Sequence, residues 1–369
     1  KRVAEIDSNK VISTDVIRKS IYRIDKLQFF NPLDYPVIYR DKGRYVVKFS
    51  IDERPMSHFD IIAGYVPGTS GNSTFVGRGE LKLRNVAFDG LDMLLQFDRM
   101  GERVGKLRFN INQNYLLGYP LGFTSSFSLI QQDTLWQSRN LSFTSWIELS
   151  DDVRIIAGLS TEASTLGMNI DSGMSDQKGR FGSVGFLFNN RQGGEESDPG
   201  LMLQITAETG TQRIQGIESK PGRVPRKRTS MDLETHIRII NRNNLVSGIH
   251  MGFLFKDDAQ ILDYWRLGGA QSIRGYREDQ FFASNYIWTD LEYRFFLEQK
   301  SYLFSFAQLG RIQTGDTPIT STNKTIFSRS FGLGMAYSTN LGLLKFTYAK
   351  SPEDPFTNAK VHLGIQADF

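Results

Sequence analysis

From about Met56 to the C-terminus, apolar and polar residues alternate with a period of two, the spacing of the two faces of a β-strand. Leu107, Phe109 and Ile111 interleave with Arg108, Asn110 and Asn112. Val361, Leu363, Ile365, Ala367 and Phe369 interleave with His362, Gly364, Gln366 and Asp368. Ile287, Thr289, Leu291 and Tyr293 do the same with Trp288, Asp290, Glu292 and Arg294. Clusters of Gly, Asn, Asp and Pro bound the runs. They predict strands near 59–66, 74–86, 91–100, 104–114, 121–131, 138–148, 152–160, 181–189, 200–208, 230–241, 245–255, 285–296, 301–311, 325–337, 341–350 and 358–369.

That makes about sixteen runs, each long enough to cross a bilayer on a tilt. Connections after even-numbered runs are mostly short: 87–90, 115–120, 149–151, 242–244, 297–300 and 338–340. Those at 161–180, 209–229, 256–284 and 312–324, after odd-numbered runs, are long. Short turns on one rim and long loops on the other are the pattern of an outer-membrane barrel; 190–199 is long for its rim. A soluble sandwich needs no polar interior opposite its apolar face, and a propeller needs a blade repeat that this chain lacks. The prediction is a closed transmembrane β-barrel from residue 56 to 369, with both ends in the periplasm.

Residues 1–55 read differently. Ser13-Thr14-Asp15 offers helix caps, and Val16, Ile17, Ile21, Ile24 and Leu27 follow at helical spacing, with Arg18, Lys19, Arg23 and Lys26 opposite. Pro32 ends that helix. Val37–Tyr39 and Tyr45–Ile51 flank the turn Asp41-Lys42-Gly43 as a hairpin. One helix on two strands is too small a core to stand alone. Lys1-Arg2-Val3 shows no apolar signal region, so more chain is expected before Lys1.

Composition narrows the function. Phe at 27, Tyr at 14 and Gly at 34 in 369 residues favour strands. No run approaches the length of a membrane helix, and mean hydropathy is -0.33. With no Cys and four scattered His (His58, His236, His250, His362) there is no metal-ligand spacing, thiol nucleophile or disulfide framework. No hydrolase elbow or phosphate loop is present. No cofactor and no catalysis are expected. A net charge of +4 is too mild for nucleic acid. Arg223, Arg226, Lys227 and Arg228 form one basic patch, expected on the long extracellular loop 209–229, where lipopolysaccharide phosphates or plain solvent would meet it.

The connection 256–284 holds Leu267-Gly268-Gly269-Ala270-Gln271-Ser272-Ile273-Arg274-Gly275-Tyr276. The glycines allow a tight fold-back, and Ile273 and Tyr276 bracket a single Arg. Such a loop could tuck into the lumen and pair Arg274 with an inward carboxylate. This stretch resembles the outer-membrane insertase and translocator superfamily that includes BamA, TamA and the two-partner-secretion transporters. The resemblance continues through Leu291–Phe295, Phe304–Gly310, Ser330–Met335 and the aromatic C-terminus Val361–Phe369. Residues 11–55 resemble the second helix and last two strands of a POTRA domain.

The resemblance implies a sixteen-stranded barrel behind a partial POTRA domain. It implies a lumenal Ile273-Arg274-Gly275-Tyr276 motif held by Glu292, with Asp290, Phe306 and Gln308 nearby. The family usually carries Asp where this chain has Gln308, so the arginine is expected to lose a charge-assisted bond there. A weak seam between first and last strands, marked by Phe59, Gly64, His362, Gly364 and the terminal Phe369, is expected to hold fewer hydrogen bonds than any other strand pair. The leading reading is an insertase for client outer-membrane or secreted proteins, working by strand pairing at that seam and aided by periplasmic or lipoprotein subunits. The alternative is a membrane anchor or secretion pore for an upstream domain. A diffusion porin comes third, since a tucked loop would obstruct it.

Overall fold

The computed structural model describes residues 13–26, 34–52, 57–66, 74–86, 90–99, 104–114, 116, 119–132, 136–167, 176–191, 199–215, 223–257, 259–260, 262–298, 300–315, 324–339, 342–355 and 358–368. Helix α1 (Thr14–Lys26) opens the described chain. The Ser13 hydroxyl caps it by accepting Val16 N–H at 3.3 Å. Ile17, Ser20 and Ile24 form its buried face. Strands β1 (Val37–Asp41) and β2 (Arg44–Lys48) pair through a two-residue turn in which Lys42 and Gly43 both take positive φ, 46° and 82°. That is the geometry of a tight hairpin. The helix and hairpin resemble part of a POTRA domain. Val11, Ile12, Leu27 and Pro32, which the sequence reading used, lie outside the described residues.

Sixteen antiparallel strands then close a barrel: β3 (His58–Val66), β4 (Thr74–Val86), β5 (Leu91–Arg99), β6 (Val104–Gln113), β7 (Leu121–Gln132), β8 (Trp136–Ser150), β9 (Val153–Leu166), β10 (Asp176–Asn189), β11 (Gly200–Gln215), β12 (Arg223–Ile240), β13 (Asn243–Phe255), β15 (Phe281–Phe296), β16 (Tyr302–Thr314), β17 (Thr325–Thr339), β18 (Gly342–Lys350) and β19 (Lys360–Asp368). A short inner strand, β14 (Trp265–Leu267), pairs with the start of β15. Leu141, Leu159, Val184, Leu291, Leu309 and Leu333 are exposed on the outer wall, as a lipid-facing surface requires. The buried aromatics point inward: Trp288 packs with the lumenal loop and Phe306 lies under Arg274, while Tyr302 and Phe304 pack with Phe296, Ala336 and Ala349.

Each sequence run corresponds to a strand, but β9 to β12 reach further than the pattern indicated. The expected loops 161–180 and 209–229 shrink because β9 continues to Leu166, β10 begins at Asp176, β11 runs to Gln215 and β12 starts at Arg223. The apolar alternation marks only the band inside the membrane. Above it the outward face is polar, so a strand can continue while its hydrophobic signature stops. One consequence is that Arg223, Arg226, Lys227 and Arg228 stand on strand β12 rather than in a loop.

The seam pairs β19 with β3 from His362↔Gly64 to Asp368↔His58. The adjoining β18–β19 ladder, from Leu343↔Gln366 to Ala349↔Lys360, is no longer. The seam and the β18–β19 ladder are thus equally long and shorter than the β3–β4 and β17–β18 ladders beside them, so the seam shares the shortest pairing with its neighbour instead of holding it alone. Phe59 is exposed outward and pairs with Ala367; His362, Gly64 and Gly364 are in the inward phase. Phe369 lies outside the described residues.

Candidate functional site

The connection between β13 and β15 folds back into the barrel. Gly268 and Gly269 turn the chain with φ of 113° and 97°, and Gly268 N–H donates to the Ser272 hydroxyl at 2.8 Å. Ile273, only 1% exposed, enters a cluster with Leu267, Tyr276, Phe281, Tyr286, Trp288 and Ile312. Gly275, at φ 86°, presses against the end of β18: a Cβ there would lie 2.9 Å from the Lys350 carbonyl carbon. Only glycine meets both conditions. Pairing between β17 and β18 stops at Phe331↔Lys350, which leaves the backbone of β17 before it without a β18 partner. Tyr276 serves that edge. Its hydroxyl donates to the Arg329 carbonyl and accepts Arg329 N–H, both at 3.1 Å.

Arg274 is held from three sides. Its Nη1 donates to Glu292 Oε2 at 2.6 Å, its guanidinium carbon lies 3.5 Å from the centre of the Phe306 ring, and its own N–H donates to Gln308 Oε1 at 2.7 Å. Glu292 is shared, since its Oε1 accepts Arg294 Nε at 2.7 Å. Glu292 and Arg294 face inward while Leu291, Tyr293 and Phe295 face outward. Phe304 and Phe306 fit because the inward positions opposite them on β17 are Gly334 and Gly332, where a Cβ would overlap the rings.

Two partners behave otherwise than the sequence suggested. Asp290 is 3.4 Å from His250 Nε2 across β13, and no described contact joins it to Arg274. Gln308 does not touch the guanidinium as a weak substitute for a carboxylate. Its Oε1 accepts Arg274 N–H and the Ser330 hydroxyl (3.2 Å), and its Nε2 donates to the Ser272 carbonyl at 3.0 Å. An amide can accept and donate at once, which a carboxylate cannot. Gln308→Asp is accordingly expected to loosen the loop: it shortens the side chain and sets an anion against the Ser272 carbonyl. Faster proteolysis of the 256–284 segment than in the parent, by about fivefold for one lost hydrogen bond of about 1 kcal/mol, is the measurement that checks it.

The Omp85 superfamily domain model matches residues 95–369. The chain belongs to the Omp85 superfamily. Omp85 membership carries a coarse function, membrane-protein biogenesis or translocation in the outer membrane, with the N-terminal region in the periplasm and no catalytic role. No curated protein matches this Omp85 chain by sequence. Among solved structures, BamA from Haemophilus ducreyi lacking POTRA domains 1-3 superposes with TM-score 0.61 at 12% identity, over 100% of this chain and 81% of that one. CdiB from Acinetobacter baumannii gives 0.63 at 12% over 100% and 71%, and CdiB from Escherichia coli 0.62 at 13% over 97% and 72%. At that identity the likeness is one of fold.

The lumenal loop of this Omp85 barrel has a second anchorage that the sequence reading missed. Asp263 has no exposed surface. It accepts Gln260 N–H at 2.9 Å, Lys256 Nζ at 2.5 Å and Gln212 Nε2 at 3.0 Å, and lies 3.5 Å from Arg226 Nη1. Arg226 lies over the Phe181 ring at 3.7 Å and reaches Glu162 (2.9 Å) and Glu208 (3.1 Å). Arg228 donates to the Asp263 carbonyl. This knot ties the start of the loop to β9, β11 and β12. Burial is the largest single influence and would raise the Asp263 carboxyl, but the Lys256 ammonium together with the hydrogen bonds from Lys256, Gln260 and Gln212 holds the group below its ordinary value. Further along, Arg266 stacks on Trp136 of β8 at 4.3 Å, and Glu278 accepts Ala270 N–H at 2.7 Å. The plug is thus pinned to opposite walls. The signal in the sequence is the pairing of buried-phase Glu162, Glu208, Arg226 and Arg228, hidden because Glu162, Arg226 and Arg228 fall in the predicted loops 161–180 and 209–229 and Glu208 at the last position of the run 200–208.

Proposed function

We propose that this Omp85 barrel is a translocation pore or membrane anchor for an upstream domain or partner polypeptide, plugged at rest by the 256–284 loop, rather than a strand-templating insertase. Residues 1–55 would be the last part of a periplasmic POTRA domain and residues 56–369 the barrel. The observation carrying this is the seam. Its ladder matches the neighbouring β18–β19 pair in length, while the β3–β4 ladder on its other side is longer, so the seam is not set apart as a single weak edge. Separating them within lipid strands backbone groups at several kcal/mol each. The plug, by contrast, is held mainly by side-chain contacts, and at its motif end, where Arg274 is partly exposed, water can replace a lost partner.

Where α1 sits supports a periplasmic feed. The Tyr22 hydroxyl donates to Asp152 Oδ1 at 2.6 Å and Arg23 Nε to Asp151 Oδ1 at 2.7 Å, on the turn between β8 and β9. The helix therefore reaches across the periplasmic mouth from the strand it precedes. Cargo would be a secreted or tethered polypeptide, and periplasmic or lipoprotein subunits would dock on the POTRA region.

The test is a disulfide across the seam between Ile61→Cys and Ile365→Cys, a directly paired position. In planar bilayers, channel opening of an Arg274→Ala plug-released protein is expected to be the same with the staple closed or reduced. In vesicles, an unfolded outer-membrane barrel is expected to fold at its unassisted rate with or without this protein. Acceleration by the unstapled protein that the staple abolishes would restore the insertase reading.

A further inference from the structure

We propose that the outward face of β10–β12, at its extracellular end, binds phosphate-bearing lipid headgroups of the outer leaflet. Strand β12 sorts its basic residues between two faces. Arg226 and Arg228 point into the lumen, where Glu162, Glu208 and Asp263 answer Arg226 and the Asp263 carbonyl accepts from Arg228. Arg223 and Lys227 point outward and are exposed, as are Lys178 and Arg180 on β10 and Arg213 on β11. The register makes these outward cations neighbours: Lys178 faces Arg213, and Arg213 in turn faces Arg223. Arg180 lies two residues along from Lys178. Through Ala163 the same line of partners reaches Arg139 on β8, also exposed.

Like charges directly opposite each other in a sheet destabilise it, and here two such pairs adjoin. Nothing in the described protein neutralises them: no ion pair joins Lys178, Arg180, Arg213, Arg223 or Lys227 to a carboxylate among the described residues. Of the nearby acids, Asp176 accepts Leu166 N–H and Asp257 lies beyond the end of β13. Other outward arginines on the same rim have no such company; Arg311 faces Phe327 and Arg329 faces Leu309. The repulsion calls for an anion from outside the protein.

Height selects the anion. At about 3.4 Å per residue and a tilt near 40°, Arg213 stands about 30 Å above Leu201 along the membrane normal, past the top of an apolar band about 25 Å tall. That is the headgroup layer. Below the cations the wall carries exposed Leu159, Val184 and Ile205, which suit acyl chains. Thr209 and Thr211, opposite Lys227 and Pro225, add hydroxyls between them. Phosphate above and acyl chain below is the chemistry of a phosphorylated glycolipid, and the site does not depend on which polypeptide the pore serves.

The purified protein in detergent is the material for the test, with bis-phosphorylated lipid A, the same lipid dephosphorylated, and inorganic phosphate as probes. Retained lipid read by native mass spectrometry, and the thermal midpoint, are the readouts. Lipid A is expected to be retained and to raise the midpoint. A Lys178→Gln/Arg213→Gln/Arg223→Gln protein is expected to retain at least about tenfold less, as loss of a charge-assisted bond implies. Without lipid, that variant should melt no lower than the parent, since it sheds repulsion, and this also shows that it folds. Equal retention of the dephosphorylated lipid, equal retention by the variant, or a lower melting variant would overturn the proposal. So would equal stabilisation by inorganic phosphate, which would mark an adventitious ion only.

Discussion

Replacing Arg226 with Ala is expected to cost the barrel about 2–4 kcal/mol, the largest effect of any single substitution in the lumen. The guanidinium is 1% exposed, stacks on Phe181 and separates three carboxylates, Glu162, Glu208 and Asp263. Its removal leaves Glu162 and Glu208 close together without their cation, while Asp263 keeps Lys256. A fully buried broken pair costs about 3–5 kcal/mol; partial hydration of the two glutamates lowers that range. Denaturant unfolding in detergent micelles measures it. A second substitution separates charge from packing: Glu208→Gln in the Arg226→Ala background should recover part of the loss, because it removes one of the stranded charges. Arg226→Lys should fall between, since an ammonium cannot serve the carboxylates as a planar fork does. A loss under about 0.5 kcal/mol for Arg226→Ala, the range of an ordinary surface change, would mean that the knot is no anchor.

Arg274→Ala is expected to release the motif end of the loop and leave its start anchored. The pair with Glu292 is largely buried, yet the lumen is wet and Glu292 retains Arg294 as a second partner. The expected cost is about 1–3 kcal/mol, which raises the fraction of time the loop is detached by roughly five- to 150-fold. Two readouts report it: the frequency of open events in planar bilayers and the rate of proteolytic nicking within 256–284. The stacking on Phe306 should be lost with the same substitution, so Arg274→Lys should restore only part of the hold. In a Glu292→Gln background, Arg274→Ala should cost measurably less than it does alone. Additive losses would show that the two residues act separately. Combining Arg274→Ala with Arg226→Ala should free both ends of the plug and give the most persistent channel.

The barrel was legible in the sequence wherever lipid enforces it. Leu107, Phe109 and Ile111 must be apolar because they face acyl chains, and Arg108, Asn110 and Asn112 can be polar because they face water; one chain position in two carries each message. The parity of Trp288, Asp290, Glu292 and Arg294 followed from the same rule, and with it the inward direction of Glu292. So did the presence of a Gly-rich loop with one central arginine. What lay above the membrane was not legible in this way. Once the outer face meets headgroups and water, Thr209, Arg213 and Lys227 are as good as leucines, and β10–β12 continue with no alternation to announce them.

Partners were decided by tertiary structure alone. Arg226 and Asp263 are far apart in sequence, and Glu162 is further still; only the closure of the sheet and the fold-back of the loop bring them to one point. Gln308 reads as a weakened carboxylate in the sequence, but the loop backbone beside it offers an N–H and a carbonyl that an amide serves together. Asp290 shares a face with Glu292 but turns to His250, because the neighbouring strand presents Gly248 and His250 there. Even the seam follows register rather than composition: the single glycine of β3, Gly64, does not make it shorter than β18–β19. A period-two pattern specifies which way a side chain points. Which group it meets depends on strand order, register and the path of the loop, and these are properties of the closed barrel as a whole.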